Sequence, residues 1–355
     1  MAEAWIRGKA VALDAAIAEV INLLSASRLP VIAGLGTDVA GVRAAIKLAQ
    51  RVGGVIDHMH SEVLLRDLDV MREAGMMVTT PNEVRLRADF LLLVGPGLIE
   101  AWPALPDRLF AKRRIVWLCP GAAAKSANAY RNIAVVGDDP FDLPVMLAAL
   151  RARCAGSPVA NAPVALAAID ALVAELKKAR FGVAVWSAAQ YDSLTVEMLC
   201  GLVKDLNEGT RFSGLPLAAA DNAPAVQQVT GWMTGFPLRT GFGRGLPEHD
   251  PWRFEASRLI DSGEADCVLW ISAYGARLPT WKRDPPLVAI TANPDTLRAD
   301  VTIAVGRPGI DHNAVEHLAA TATLTTVSAG KPSTAVSVAS ALGKIIAALP
   351  ESQPC

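Results

Sequence analysis

The pattern that most constrains this chain is a series of short, largely apolar runs separated by stretches with a helical period. Pro30–Gly34, Val55–Asp57, Phe90–Val94, Ile115–Leu118, Ile133–Val136, Gly182–Trp186, Arg211–Leu215, Cys267–Ile271, Leu287–Ile290 and Val301–Val305 are such runs, with Met76–Thr79 a weaker one. Strands without polar alternation must be covered on both faces, which is the situation of parallel sheets flanked by helices. Apolar stripes mark the intervening helices. Leu13, Ile17, Val20, Ile21 and Leu24 share one face over 8–27, and Val338, Leu342, Ile345, Ile346 and Leu349 share one over 332–349. The predicted fold class is α/β, with two doubly wound, mostly parallel domains.

A chain of 355 residues accommodates two domains at roughly 150 residues each. The stretch AGSPVANAP over 155–163 has linker composition and predicts a first α/β domain over 1–155 and a second over 156–355. The halves rhyme. Arg28-Leu-Pro-Val-Ile-Ala-Gly34 matches Arg180-Phe-Gly-Val-Ala-Val-Trp186, and Ala88-Asp-Phe-Leu-Leu-Leu-Val-Gly95 matches Ala265-Asp-Cys-Val-Leu-Trp-Ile-Ser272. A duplication and the shared grammar of strand–helix units both account for it.

Charged residues are 19% of the chain, below the usual ~25%, and mean hydropathy is +0.31. That much Ala, Val and Leu fills large cores or leaves apolar surface for a partner to cover. No apolar run reaches the roughly 18 residues of a membrane span. Glu3, Arg7, Lys9 and Asp14 interrupt the N-terminus where a signal peptide needs an apolar run, so a cytoplasmic location is expected. With 34 basic and 35 acidic residues the net charge is −1, which gives no field to attract nucleic acid or a membrane surface. The five cysteines are scattered without a C-x-x-C pair and read as reduced, mostly buried thiols.

Several candidate sites fail on their own chemistry. Gly34-x-Gly36 follows a strand, and Asp57 ends the next one, as in a dinucleotide site, but Val39 occupies the slot that needs a small residue. His58 and His60, with Asp57 and Glu62 nearby, fall short of a recognised zinc spacing, and His312, Glu316 and His317 do not form H-E-x-x-H. No metal is expected. The chain also lacks a G-x-S-x-G elbow and a G-x-x-x-x-G-K-[ST] phosphate loop, and Gly137-Asp138-Asp139 is not the Gly-Asp-Gly of thiamine-diphosphate enzymes. No catalytic residue is predicted.

The stretch Thr230–Phe254 remains. Gly231, Gly235, Gly241, Gly243 and Gly245 alternate with Trp232, Phe236, Phe242, Trp252 and Phe254, and Arg239, Arg244 and Arg253 are threaded between them. Neither structural period fits, so a long ordered loop is predicted, packed on the chain's own domains, a ligand or another protein. Arg239, Arg244 and Arg253, with His249 beside them, are the candidate binding residues for a carboxylate group or a protein interface. Local acids Glu248, Asp250 and Glu255 equally suit neutralising them.

Arg7-Gly-Lys9, Pro30–Gly34, Val55–Asp57, Ala88-Asp89 and above all Gly231…Gly235-Phe-Pro237…Gly245-x-Pro247 carry a resemblance. The chain resembles the B component of formylmethanofuran dehydrogenase, a molybdopterin oxidoreductase, and in particular the shortened homologue of formyltransferase/hydrolase complexes in methylotrophic bacteria. The resemblance implies a molybdopterin oxidoreductase fold without its iron–sulfur domain. Catalytic members carry an N-terminal cysteine cluster, whereas here six residues precede Arg7 and none is cysteine. They also place a cysteine or selenocysteine on molybdenum or tungsten soon after the second strand, where this chain reads Asp57-His-Met-His-Ser-Glu62. A non-catalytic structural subunit is therefore expected, with neither an iron–sulfur cluster nor Mo or W. The partners implied are an amidohydrolase-like hydrolase, a formyltransferase and a β-helical subunit. The complex would pass formyl from tetrahydromethanopterin to a methanofuran-type carrier and release formate. The resemblance favours a protein contact for the 230–254 stretch, with Arg239 and Arg244 also suited to the carrier's polyglutamate tail.

Overall fold

The computed structural model describes residues 3–111, 113–124, 133–294 and 299–350. The chain forms two compact units, each assembled from separate stretches of sequence. Unit 1 takes Met1–Ser61, Ala220–His317 and Leu324–Cys355, and unit 2 takes Glu62–Ala219 and Leu318–Thr323. The expected boundary between 155 and 156 is therefore corrected: the units are nested, not consecutive. Strand pairing is the reason.

In chain order, unit 1 opens with β1 (Ala4–Ile6), β2 (Lys9–Val11), β3 (Pro30–Gly36) and β4 (Val55–Ile56). Unit 2 supplies β5 (Phe90–Val94), β6 (Arg114–Leu118), β7 (Ile133–Val136), β8 (Gly182–Trp186) and β9 (Phe212–Pro216). Then come β10 (Thr240–Gly241), β11 (Glu248–His249), β12 (Cys267–Ser272), β13 (Leu287–Thr291) and β14 (Val301–Ala304), followed by a hairpin of β15 (Ala314–Leu318) and β16 (Thr323–Val327).

Unit 2 is a five-stranded sheet in the order β7-β6-β5-β8-β9, parallel throughout. Because β8 lies against β5, the AGSPVANAP stretch falls inside this unit, between helices Leu143–Cys154 and Leu166–Lys178. Side chains alternate across the sheet. Phe90, Leu92, Val94, Val116, Leu118, Ala184 and Trp186 join one apolar cluster, while Leu91, Leu93, Ile115, Trp117, Val183 and Val185 join another. Both faces are covered, as unbroken apolar strands require.

Unit 1 holds a nine-stranded sheet, β11-β10-β4-β3-β12-β13-β14-β1-β2. Its five central strands are parallel and its margins antiparallel. Helix Val39–Val52 shows how the sequence specifies the flanking layers. The Asp38 carboxylate accepts from Gly41 N–H at 3.0 Å to cap its start, and Gly53 at φ 63° ends it. Such a cap contributes about 1 kcal/mol. Val42, Ala45, Ile46 and Ala49 form its buried stripe.

The rhyme between the halves has a physical counterpart. In unit 1, Asp266 accepts from the N–H groups of Arg28 and Leu29 at 2.8 and 3.0 Å, fastening the start of β3 to that of β12. In unit 2, Asp89 accepts from Arg180 and Phe181 at 3.0 and 2.9 Å, fastening β8 to β5. Each unit thus pairs one strand of each rhyming type through the same carboxylate clamp.

Some expected elements change. The 8–27 helix begins at Leu13, because Lys9–Val11 pairs with β1. Met76–Thr79 contributes an isolated bridge, Val78 to Gly214, and no strand. The 230–254 loop is resolved into the end of helix Ala223–Thr234, the β10–β11 hairpin and a turn before helix Ala256–Ser262. No helix among the described residues is long and apolar enough to cross a membrane. The four described cysteines are free thiols, and Cys355 lies outside the described residues.

Candidate functional site

In an open parallel sheet the crevice forms at the carboxyl ends of the strands where the winding direction reverses. In unit 1 that point lies at β3 and β12, since β3 leads outward to β4 and β12 leads the other way through β13 to β14. The chain leaves β3 through Gly34 at φ 78° and Leu35 at φ 56°. A Cβ on Gly34 would fall 2.6 Å from the Ile271 carbonyl oxygen, so the close approach of β12 demands glycine there.

Asp57, at the end of β4, is 5% exposed. Its carboxylate accepts from Ser61 Oγ and, at 2.9 Å, from Ala256 N–H. Arg239 Nε stands 3.8 Å from its Oδ2. Burial pushes the Asp57 carboxyl up to about 6, against the opposing pull of Arg239 and of the Ala256 and Ser61 donors. Arg239, 7% exposed, also reaches Glu255 at 3.9 Å and donates to the Pro251 carbonyl at 2.5 Å. The Arg239 guanidinium therefore faces inward, toward this carboxylate.

Asp57 is followed by two histidines with committed ring nitrogens. His58 Nδ1 accepts from His60 N–H at 2.9 Å, and its Nε2 donates to the Asp221 carbonyl at 3.2 Å. Burial first, and the neighbouring His60 second, push His58 down to about 3, so the ring is neutral. His60 Nε2 lies 3.2 Å from the Asp221 carboxylate. Asp221 and Asn222 both hold left-handed φ values, 54° and 62°, at the entrance to helix Ala223–Thr234, a conformation that costs each about 1 kcal/mol or more. Asn222 bridges onward, donating to the Thr37 carbonyl and accepting from His317 N–H, each at 2.8 Å. Tyr274, just past β12, donates to Glu316 Oε1 at 2.5 Å, and burial raises its hydroxyl pKa far above the usual range.

Sequence reading missed Asp221, Asn222, Tyr274 and the role of Glu316. One signal was available: Asp-Asn immediately before Ala-Pro is the composition of a turn feeding a helix.

The predicted arginines separate. Arg244 is exposed and pairs with Glu248 at 3.0 Å. Arg253 is exposed, 4.0 Å from the other Glu248 oxygen and over the Phe254 ring at 5.1 Å. His249 Nδ1 donates to the Arg239 carbonyl at 3.0 Å. Of the five aromatics, Phe242 and Phe254 are buried, the latter across Gly241, where a Cβ would meet its ring at 2.5 Å. Trp232, Phe236 and Trp252 face outward.

These contacts test the candidate ligands. A ribose-binding acid needs free carboxylate oxygens, and both oxygens of Asp57 are engaged by protein donors. A metal needs lone pairs, and both His58 nitrogens are spent. Glu62 pairs with Arg66 at 3.3 Å, and His312 Nδ1 bonds the Asn313 carbonyl at 2.9 Å. Among the described residues no group of three His, Cys, Asp or Glu side chains is arranged to hold a metal ion. In the stretch Asp57-His-Met-His-Ser-Glu62, where the resemblance expects a thiolate, the side chains are carboxylates, imidazoles, a hydroxyl and a thioether, which do not fit a soft molybdenum or tungsten centre.

The B component of the formyltransferase/hydrolase complex Fhc from Methylorubrum extorquens is 36% identical to this chain over 319 residues, 86% of this chain and 85% of that protein. The chain belongs to the FhcB family. A solved crystal structure of the M. extorquens complex FhcABCD with methylofuran contains a chain that superposes on this FhcB homologue with a TM-score of 0.87. Their identity is 32%, and the match covers 97% of this chain and 98% of that one. A more distant relative is the B component of tungsten-containing formylmethanofuran dehydrogenase 2 from Methanocaldococcus jannaschii, 28% identical over 332 residues, 85% of this chain and 75% of that protein. No family model matches the chain. The resemblance read from the sequence is thereby established, and the chain is homologous to a subunit of a one-carbon enzyme complex.

Proposed function

We propose that this chain is a non-catalytic structural subunit of a cytoplasmic formyltransferase/hydrolase complex. The complex passes formyl from tetrahydromethanopterin to a methanofuran-type carrier and releases formate. The chain itself holds no Mo, W or iron–sulfur cluster. Its partners in this reading are an amidohydrolase-like hydrolase subunit, a formyltransferase subunit and a β-helical subunit, and its fold is of the molybdopterin oxidoreductase type. The observation that carries the reading is the stretch after β4: Asp57-His-Met-His-Ser-Glu62, where the resemblance expects a metal-binding thiolate, contains no cysteine, and its Asp57 and His58 are tied within the chain to Ser61, Ala256, His60 and Asp221. Exposed Arg244 and Arg253 remain available to carboxylates brought by the rest of the complex, while Arg239 serves the interior.

The test is elemental analysis of the purified complex together with its formate release. The expected result is full activity with Mo, W and Fe each far below one atom per copy of this chain. Stoichiometric Mo or W accompanied by iron would overturn the reading in favour of an active dehydrogenase subunit.

A further inference from the structure

We infer that the β10–β11 hairpin and its flanks are the docking surface for another protein subunit, one presenting an apolar face rimmed by carboxylates; the inference rests on the functional reading above. Trp232, Leu246 and Trp252 leave 64%, 73% and 68% of their surfaces open, and Phe236 leaves 39%. Large exposed apolar side chains are ordinary when scattered. Here four fall between the end of helix Ala223–Thr234 and the turn that follows β11, an edge strand of the unit 1 sheet.

The side chains are also held in place before any partner arrives. The Arg258 guanidinium lies 4.4 Å from the centre of the Trp252 ring and donates to the Trp252 and Arg253 carbonyls at 3.0 and 2.7 Å. Glu264 fixes Arg258 in turn at 2.5 Å. Phe236 stacks on His249 with ring centres 6.5 Å apart, and its N–H bonds Thr234 Oγ1 at 3.0 Å. Aromatic anchors ordered in advance lose little freedom on binding, which is the character of interface hot spots.

The rim chemistry selects the occupant. Arg244 and Arg253 both lean on the single carboxylate Glu248, and each guanidinium has donors to spare for a partner's acids. A polyglutamate tail would use those arginines too. It has nothing to set against Leu246 or the two indoles. A folded protein surface satisfies both requirements.

The experiment co-expresses the full chain with the other subunits of the complex. It compares the unmodified chain with Trp252→Ala, Leu246→Asp and the Arg244→Ala/Arg253→Ala double variant. Assembly is read by native mass spectrometry and dissociation constants by titration of the purified chain into the remaining subunits, with thermal melts to confirm folding. The expected result is that Trp252→Ala and Leu246→Asp weaken assembly by about tenfold or more with unchanged melting, and that the arginine pair weakens it less. Hydrogen exchange over 236–253 should slow on assembly. Normal assembly by every variant, even with a raised KM for the carrier, would overturn the inference and assign the surface to the carrier. Self-association lost in the same variants would overturn it in favour of a second copy. Failure of the unmodified chain to join the complex would sink the functional reading, and this inference with it.

Discussion

Arg239→Met removes the cation facing Asp57 and leaves a similar volume of side chain. Asp57 sits at about 6 because burial already outweighs its favourable contacts. A carboxyl whose folded pKa exceeds its unfolded value of 3.8 favours folding when protonated. That contribution is complete below about 3.8 and fades as pH climbs through about 6. Without Arg239 the folded value should climb further, because the largest of the influences that lower it is lost. At about 1.4 kcal/mol per pKa unit gained, the added destabilisation is near zero at pH 5, where the carboxyl is largely protonated in both proteins, and grows through pH 7 to pH 8. Loss of the 2.5 Å bond to Pro251 adds about 1–2 kcal/mol at every pH. Urea titrations of the original and variant chains at the three pH values measure the difference. Exchange of the Ala256 amide, which donates to Asp57, reports the same site locally. Combining Arg239→Met with Asp57→Asn should abolish the pH dependence of the difference. A penalty equal at pH 5 and pH 8 would refute the coupling.

Three further outcomes follow from individual contacts. Asp266→Ala and Asp89→Ala should each cost about 1–3 kcal/mol by orphaning two N–H groups at a strand start, read as a lower urea midpoint. Both carboxyls are held below their usual range: burial pushes each up, but it is outweighed at Asp89 by the Phe181 and Arg180 N–H groups with the Arg180 side chain, and at Asp266 by the Ser27 hydroxyl with the Arg28 and Leu29 N–H groups. Their contribution is therefore present above about 4 and lost as pH falls. His58 should remain neutral and protonated on Nε2 at about pH 5, visible in its imidazole nitrogen shifts, whereas an exposed histidine would be charged there. Gly95→Ala should cost about 3 kcal/mol or more in a melt, because φ is 69° and the new Cβ would fall 1.0 Å from the Tyr191 hydroxyl.

The central strands were legible because burial on both faces erases polar alternation, and that erasure is itself a signal. The ten strong runs appear as β3 to β9 and β12 to β14 with small shifts at their ends. Nesting was not legible. A linker composition such as AGSPVANAP states that the chain is irregular there, not which strands pair on either side of it. The clue lay in the rhyme, because a strand beginning Ala-Asp pairs with one preceded by Arg-x in both units. The marginal strands were missed because β1, β2, β10 and β11 are only two or three residues long, too short for any period to register. At the site, Asp57 and the histidines stood out by residue type. Their partner Asp221 did not, nor did Tyr274 as the partner of Glu316, since these come from segments distant in sequence and are united only by the fold.

Asp57 and the outer hairpin are mechanically one system. Arg239 holds a left-handed φ of 64°, worth about 1 kcal/mol of strain, and its side chain is anchored inward on Asp57. Its carbonyl accepts from Asp250 N–H at 3.3 Å and from His249 Nδ1 at 3.0 Å, which fixes β11 and the ring under Phe236. A buried charge pair is a poor way to gain stability but a good way to define a single geometry. Arg239→Met should therefore slow nothing in the chemistry of the complex while loosening the hairpin that carries Leu246 and Trp252. The expected sign is faster dissociation of this subunit with little change in its association rate, because the anchors themselves are intact. Surface plasmon resonance against the remaining subunits separates the two rates. An unchanged dissociation rate in a variant that is measurably destabilised would show that the hairpin keeps its shape without the Asp57 anchor.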